Sequence, residues 1–261
     1  MAVGGQHSGL CDDWRTLNCK LDDGPAPRAA IGLITLSTDN VIEGEVLSFL
    51  PAEGVALYRS RIPAAAKNTP EGLAAMAPQI GGVAAMLLPD DHLDVIAFGC
   101  TSGAMVIGPA GVAAAIHTAR PGVAVSNPVS AALDGLRALG AKRIALLTPY
   151  PDRTNAVVGD YVAGQGFEIL AKGSFKQAGG PVIARIPPED VYEAGVALGG
   201  TAGVDALFVS CTALRVASVL QRIEDRIGRP VVASNQALAW DCLRRAGVGD
   251  AVPNAGRLFS L

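Results

Sequence analysis

The chain is poor in the residues on which several enzyme classes depend. It has 3 histidines, His7, His92 and His117, in 261 residues and no CxxC pair, so no metal site is expected. No GxGxxG fingerprint or P-loop occurs, which removes the usual signs of a dinucleotide or triphosphate and leads us to expect no cofactor. Charge is low and nearly balanced, 21 Lys and Arg against 24 Asp and Glu without a long basic run, so neither nucleic acid nor a membrane surface is an expected partner. No stretch offers about 18 uninterrupted apolar residues, and the first residues lack a basic start followed by an apolar core; a cytoplasmic location is expected. The five cysteines, Cys11, Cys19, Cys100, Cys211 and Cys242, are odd in number and irregular in spacing, which does not make a disulfide framework and leaves free thiols.

What is present is aliphatic and repetitive. Half of the residues are hydrophobic and 31 are glycine, enough for a large core and many tight turns between strands and helices. Short runs rich in Val, Ile and Leu, at 31–36, 95–98, 144–147, 207–209 and 231–233, alternate with Ala/Leu-rich stretches of helical period. That alternation predicts parallel βα units. A leader of about 27 residues, ending in Asp22-Asp23-Gly24-Pro25-Ala26-Pro27, reads as an extended arm.

Three pairs of segments match in order. The segment Ile31 to Asp39 matches Ile144 to Asp152, Asp94 to Thr101 matches Asp205 to Thr212, and Val125-Ser126-Asn127 matches Ala233-Ser234-Asn235. Apolar strands resemble one another by chance, but three matches at nearly one spacing point to a duplicated half. Functional groups gather at the carboxyl ends of parallel strands, where Asp39, Cys100, Tyr150 with Asp152, and Cys211 all fall. Two halves facing each other would set Cys100 across a cleft from Cys211.

Each of these cysteines closes a strand and is followed by small hydroxyl residues, Thr101 and Ser102 or Thr212, with helical sequence expected next. Unpaired amides and the helix dipole at such a junction favour a bound carboxylate and a lowered thiol pKa. Two opposed thiols can pass a proton through a substrate carbon. Alternatively, one adds to an activated double bond while the other protonates the product. A lone strand-end cysteine is ordinarily a small buried hydrophobe; the pairing at equivalent repeat positions is what favours function.

The remaining candidates have competing readings. Tyr150, held between Pro149 and Pro151, is placed to donate to a carboxylate or to pack beneath a loop. Asp39 is placed to contact substrate or to cap a helix. Asn127 and Asn235 follow strands and precede helices, so capping is the default reading for them and substrate contact the alternative. His117 and Arg185 read as surface or packing residues, Cys11, Cys19 and Cys242 as structural or incidental, and the Gly179-Gly180 pair as generic.

Taken together, Phe98 to Gly103, Thr148-Pro149-Tyr150, Ala184 to Glu189, Val209 to Arg215 and Ser234 to Trp240 resemble the Asp/Glu racemase superfamily. Within it they resemble the branch of maleate cis-trans isomerase, arylmalonate decarboxylase and the ectoine-utilization protein, over roughly residues 28 to 250. The resemblance implies an α/β fold of two pseudo-symmetric Rossmann-like domains with the active site between them. Its expected division is an arm at 1–27, a first domain at 28–126 plus 235–261, and a second at 127–234. It implies Cys100 as the residue that adds to substrate, Cys211 as acid and base, and Thr101, Ser102, Tyr150 and Thr212 as carboxylate contacts, with Asp39 a further binding candidate. Two positions depart from maleate isomerases, which carry Asn where this chain has Asp39 and again where it has Gly179-Gly180-Pro181. An acidic Asp39 would repel a dicarboxylate, and Ser37-Thr38-Asp39 resembles the ectoine-utilization branch, which implies a substrate carrying an amine or amidine cation. The expected activity is a cofactor-independent two-cysteine isomerase or racemase acting on a small carboxylate, assembled as a homo-oligomer. A decarboxylase using Cys211 alone and a two-lobed metabolite-binding module are the alternatives.

Overall fold

A computed structural model of the protein describes residues 14–64 and 69–261. The first half contains β1 (Ala29–Leu36), α1 (Ile42–Ser48), β2 (Val55–Ile62), α2 (Pro70–Ala74), α3 (Ala77–Ala85), β3 (Val95–Gly99), α4 (Thr101–Ile107), α5 (Pro109–His117) and β4 (Ala124–Ser126). Helix α6 (Pro128–Ala138) leads into β5 (Arg143–Thr148), α7 (Asp152–Gly164), β6 (Glu168–Ser174), α8 (Gly180–Ile183), α9 (Pro188–Gly199), β7 (Ala206–Val209), α10 (Leu220–Ile227) and β8 (Val231–Ala233). Helix α11 (Ser234–Arg245) and a closing 3-10 turn at Arg257–Ser260 complete the chain.

Among the described residues every strand pair is parallel, and the two four-stranded sheets share one order, β2-β1-β3-β4 and β6-β5-β7-β8. This is the α/β fold expected from the repeat. Its symmetry extends to single hydrogen bonds. Asp94 accepts the Ala30 N–H at 2.8 Å, and Asp205 accepts the Arg143 N–H at 2.8 Å. Each aspartate thereby ties the amino end of one central strand to its neighbour.

The five strands legible in the sequence as aliphatic runs, β1, β3, β5, β7 and β8, are those whose residues are nearly all buried. Strands flanked and covered on both faces need an unbroken aliphatic run, and β1 is buried along almost its full length. The sequence reading placed a strand ahead of Asn127, where β4 lies, but missed β2 and β6. The outer strands β2 and β6 alternate exposed and half-buried residues, as one-sided edges do, and β4 has only three residues. Gly99 closes β3 because a Cβ there would lie 2.5 Å from the Ile42 side chain, blocking the approach of α1.

The halves are joined through α11, which packs on α6, α1, β3, β4 and β8. Asn127 caps α6 by accepting the Ser130 N–H at 2.9 Å, ahead of Pro128 in the first turn, an arrangement worth about 1 kcal/mol. Asn235 does not do the same. The helix there begins two residues earlier in the repeat, at Ser234, and the Asn235 amide is used across the interlobe contact instead. Residues 14–27 carry no regular structure and leave Trp14, Leu17 and Leu21 exposed. The earlier part of the expected arm, with His7 and Cys11, lies outside the described residues.

Candidate active site

In each sheet the chain leaves the central strand for the outer one and then crosses back to the other side. The crossing direction therefore reverses between β1 and β3, and again between β5 and β7, and ligand crevices open at the carboxyl ends of such strands. Asp39 and Cys100 follow the first pair; Tyr150 and Cys211 follow the second.

Cys100 is the N-cap of α4, in extended conformation, and its sulfur accepts the Gly103 N–H at 3.3 Å. A Cβ at residue 103 would stand 2.9 Å from both that sulfur and the Met76 methyl, so only glycine lets the amide approach. Ser102 Oγ lies 4.0 Å from the same sulfur. Helix geometry leaves the Thr101 and Ser102 N–H groups without an intrahelical acceptor.

Cys211 repeats part of this arrangement: its sulfur accepts the Ala213 N–H at 3.4 Å. The helix expected next does not form, because 212–219 run through turns and α10 starts only at Leu220. Ala213, Leu214 and Val216 are all buried there, a distribution that serves packing between the halves and leaves no solvent-facing helical side. Ser234 joins the two cysteine loops. Its hydroxyl oxygen accepts from Thr101 Oγ1 and from the Cys211 N–H, both at 3.0 Å.

Of the two readings of Asp39, the structure shows the cap, together with a bond to the second half. Its Oδ1 accepts the Val41 and Ile42 N–H groups at 2.9 and 3.0 Å, capping α1, while Oδ2 accepts from Thr212 Oγ1 at 2.9 Å. Arg61 at the end of β2 donates to the Asp39 carbonyl at 3.0 Å and pins the loop from outside.

All seven candidate residues, Asp39, Cys100, Thr101, Ser102, Tyr150, Cys211 and Thr212, line one cavity of about 260 Å³, and each is buried. Leu36, Ala64, Leu73 and Ile183 supply an apolar wall, and Gly179, Gly180 and Pro181 close another side. The glycine pair that looked generic thus belongs to the site; the resemblance had already marked that segment as a departure. Ser234 was missed as a bridging group, although its equivalence to Ser126 in the repeat was visible. Ser126 itself bonds Asp241.

Electrostatics run opposite to the expectation of activated thiols. Burial pushes Cys100 up to about 11, against the lowering influence of the Gly103 amide and Ser102, with the Asp39 charge adding to the rise. Burial likewise pushes Cys211 up to about 12, although the Tyr150 hydroxyl and the Ala213 amide hydrogen-bond its sulfur; Asp39 and Cys100 add to the shift. Tyr150 is held well above the ordinary phenol range, first by burial and then by Cys211. Local amides favour the thiolates, but removing water from both sulfurs outweighs them. Both thiols and the phenol therefore carry their protons at neutral pH.

Residues outside this cavity take the bland readings. His117 ends α5 exposed, with Nε2 2.9 Å from the Val123 carbonyl oxygen. Arg185 is exposed, and Asp152 pairs with Lys176 at the surface. Cys19 is exposed, whereas Cys242 is buried in α11. Among the described residues no cluster of His, Cys, Asp or Glu is arranged to hold a metal ion, and no helix is long and apolar enough to cross a membrane.

A family profile described as arylmalonate decarboxylase matches residues 46–259. The chain belongs to the arylmalonate decarboxylase family. Among its relatives are the maleate isomerase of Nocardia farcinica, 31% identical over 88% of this chain and 94% of that protein, and the arylmalonate decarboxylase of Bordetella bronchiseptica, 31% identical over 85% and 96%. A solved Nocardia farcinica maleate cis-trans isomerase, a cysteine-to-serine mutant with a covalently bound succinylcysteine intermediate, superposes with a TM-score of 0.80. It shares 30% identity over 88% of this chain and 98% of that one. The two parallel sheets are therefore those of the arylmalonate decarboxylase family.

Proposed function

We propose that the protein is an isomerase acting on a small carboxylate through two thiols, with Cys100 as nucleophile and Cys211 as acid and base. The observation that carries this reading is the convergence of both sulfurs, from equivalent strand ends, on one buried cavity. The sulfur of Cys100 bonds to one carbon of a cis double bond as its thiol proton leaves. Cys211 gives its proton to the neighbouring carbon and takes up the one that Cys100 released, so both charge and protons balance. The former double bond is now single and rotates; reversal expels Cys100 and leaves the trans isomer. The relatives named maleate isomerase and the succinylcysteine intermediate support this order of events.

The substrate carboxylate is held by neutral donors: the α4 amides of Thr101 and Ser102, the Ser102 hydroxyl, and the Tyr150 phenol, which its raised pKa keeps protonated. Thr212 lines the same wall with its hydroxyl turned to Asp39. Incubation with maleate and isocrotonate, followed by intact-mass measurement of the Cys211→Ser protein, tests the scheme. One added substrate mass on Cys100 is expected. Absence of both adduct and cis-trans conversion across a set of cis-2-alkenoates would sink the reading.

The finer reading concerns the far end of the substrate. Asp39 is the one charged side chain among the described residues that line the cavity, and Leu36, Ala64, Leu73 and Ile183 make part of the lining apolar. A second carboxylate would meet a buried like charge, worth about 4 kcal/mol at 4 Å for an effective dielectric constant near 20. The preferred substrate therefore has an uncharged or cationic far end, as the resemblance of Ser37-Thr38-Asp39 to the ectoine-utilization branch also implies. Asp39→Asn keeps an oxygen for the Val41 and Ile42 amides and removes the charge. Its expected result is a rise of at least about tenfold in kcat/KM for maleate relative to isocrotonate, tenfold corresponding to about 1.4 kcal/mol. An unchanged ratio would show that Asp39 does not select the substrate.

A further inference from the structure

Between Cys211 and α10 the chain makes no helix, and something else must satisfy its amides and fix its course. The group that does so comes from the other half. Glu45 on α1 accepts the N–H groups of Val216 and Ala217 on Oε1, the latter at 2.8 Å, and Asn235 Nδ2 on Oε2 at 2.8 Å. Asn235 Nδ2 also donates to the Thr212 carbonyl at 2.8 Å. Thr212 in turn bonds Asp39, which caps the helix that carries Glu45. The contacts form a closed ring: Asp39, Thr212, Asn235, Glu45 and back along α1.

We propose that Glu45 is a positioning residue that holds the Cys211 loop of the second half in place opposite Cys100 of the first. The proposal rests on the two-thiol reading of the cavity, since without it the placement of Cys211 has no catalytic consequence. It explains why the Asn235 amide is turned away from helix capping, unlike its repeat partner Asn127. It also accounts for a half-buried carboxylate that takes no part in the proton transfers themselves.

The ring has a built-in pH dependence. Burial pushes Glu45 up to about 7, against the lowering pull of Asn235 and the Ala217 and Val216 amides, with the Asp39 charge adding to the rise. The charged groups around it are Asp39 from the β1–α1 loop and Arg215, which shares a surface groove with Glu45, Ser48, Pro188 and Ala217. Above about 7 the carboxylate is charged and grips three donors. Below it the neutral acid holds them more weakly, and the Cys211 loop loosens.

Glu45→Gln leaves one carbonyl oxygen for the two amides but turns an NH2 group toward the Asn235 NH2, so the ring opens with little change in volume. Hydrogen exchange at the Val216 and Ala217 amides, together with iodoacetamide alkylation of Cys100 and Cys211 read by peptide mass, gives a readout that needs no substrate. In Glu45→Gln, exchange at those two amides and alkylation of Cys211 are expected to rise at least tenfold. Cys100 alkylation and exchange in β5 and β7 should stay within twofold, which separates repositioning from general loosening. The native protein should show the faster Cys211 alkylation only below about pH 7, beyond the intrinsic thiol dependence, and Glu45→Gln should show no such step. Asn235→Ala should reproduce the Cys211 effect, and Glu45→Asp, which restores the charge one methylene short, should recover part of it.

Unchanged exchange and alkylation in Glu45→Gln overturn the inference whatever the activity. Equal acceleration at both thiols also overturns it, because that is the mark of a merely structural role. If the ring behaves as described while no carboxylate is turned over by the native protein, the isomerase reading fails and Glu45 is left holding the Cys211 loop without a catalytic consequence.

Discussion

Cys100→Ala and Cys211→Ala are each expected to lower turnover by at least about a thousandfold, within the range that removal of a nucleophile or a positioned acid and base produces. Both thiols are buried in the same cavity, so each substitution deletes one sulfur and leaves a small void. Stability should fall by only about 1 kcal/mol for the atoms removed. The two serine variants separate the roles. Cys100→Ser replaces a soft nucleophile with a poor one and should form no adduct. Cys211→Ser keeps a hydroxyl near the Ala213 amide and Tyr150 that still protonates the neighbouring carbon slowly but takes that proton back far less readily, so adduct on Cys100 should accumulate. Progress curves, intact mass and circular-dichroism melts check these outcomes. Full activity in either alanine variant with an unchanged melt would remove the two-thiol mechanism.

Alkali should unfold the protein through the same sulfurs. In the unfolded chain a thiol titrates near 9.0, whereas folding raises Cys100 to about 11 and Cys211 to about 12, and also raises Cys242, where burial again dominates. Above the unfolded value the folded state binds more protons than the unfolded one, so stability falls as pH rises through that window. At roughly pH 10.5 each thiol contributes a loss of about 2 kcal/mol, from 1.36 kcal/mol per pKa unit. For a chain of this size the melting temperature should drop by about 10 °C or more between pH 8 and 10.5. Replacing Cys100, Cys211 or Cys242 with Ala should flatten the dependence in steps. If the triple variant keeps the native slope, other alkaline titrations govern it and the buried thiols do not.

The legibility of the fold followed the burial of its strands. Runs such as Ile31 to Leu36 and Ile144 to Leu147 read directly as central parallel strands because both faces of each are covered and all but Gly32 and Thr35 are large aliphatics or alanine. The edges at 55–62 and 168–174 did not, since exposure on one side admits Arg59, Arg61 and Lys172. The site was legible for a different reason. Duplication preserved Cys100-Thr101 and Cys211-Thr212 at equivalent strand ends, and a parallel sheet sends such ends to one side.

The amino-acid sequence by itself determined the βα alternation, the duplicated half, the pair of strand-end thiols and the family to which the chain belongs. These follow from local hydrophobic period and from residue identity, which need no knowledge of distant contacts. Only the tertiary structure decided which way the thiol pKa values move, because amides at a strand end favour a thiolate while the closing of two halves strips its water, and the second effect prevails here. It also decided that the segment after Cys211 stays non-helical, that Ser234 bridges the two cysteine loops, and that Glu45 and Asn235 meet across the interface. Those outcomes depend on groups separated by up to 190 residues along the chain, and proximity of that kind is created by packing.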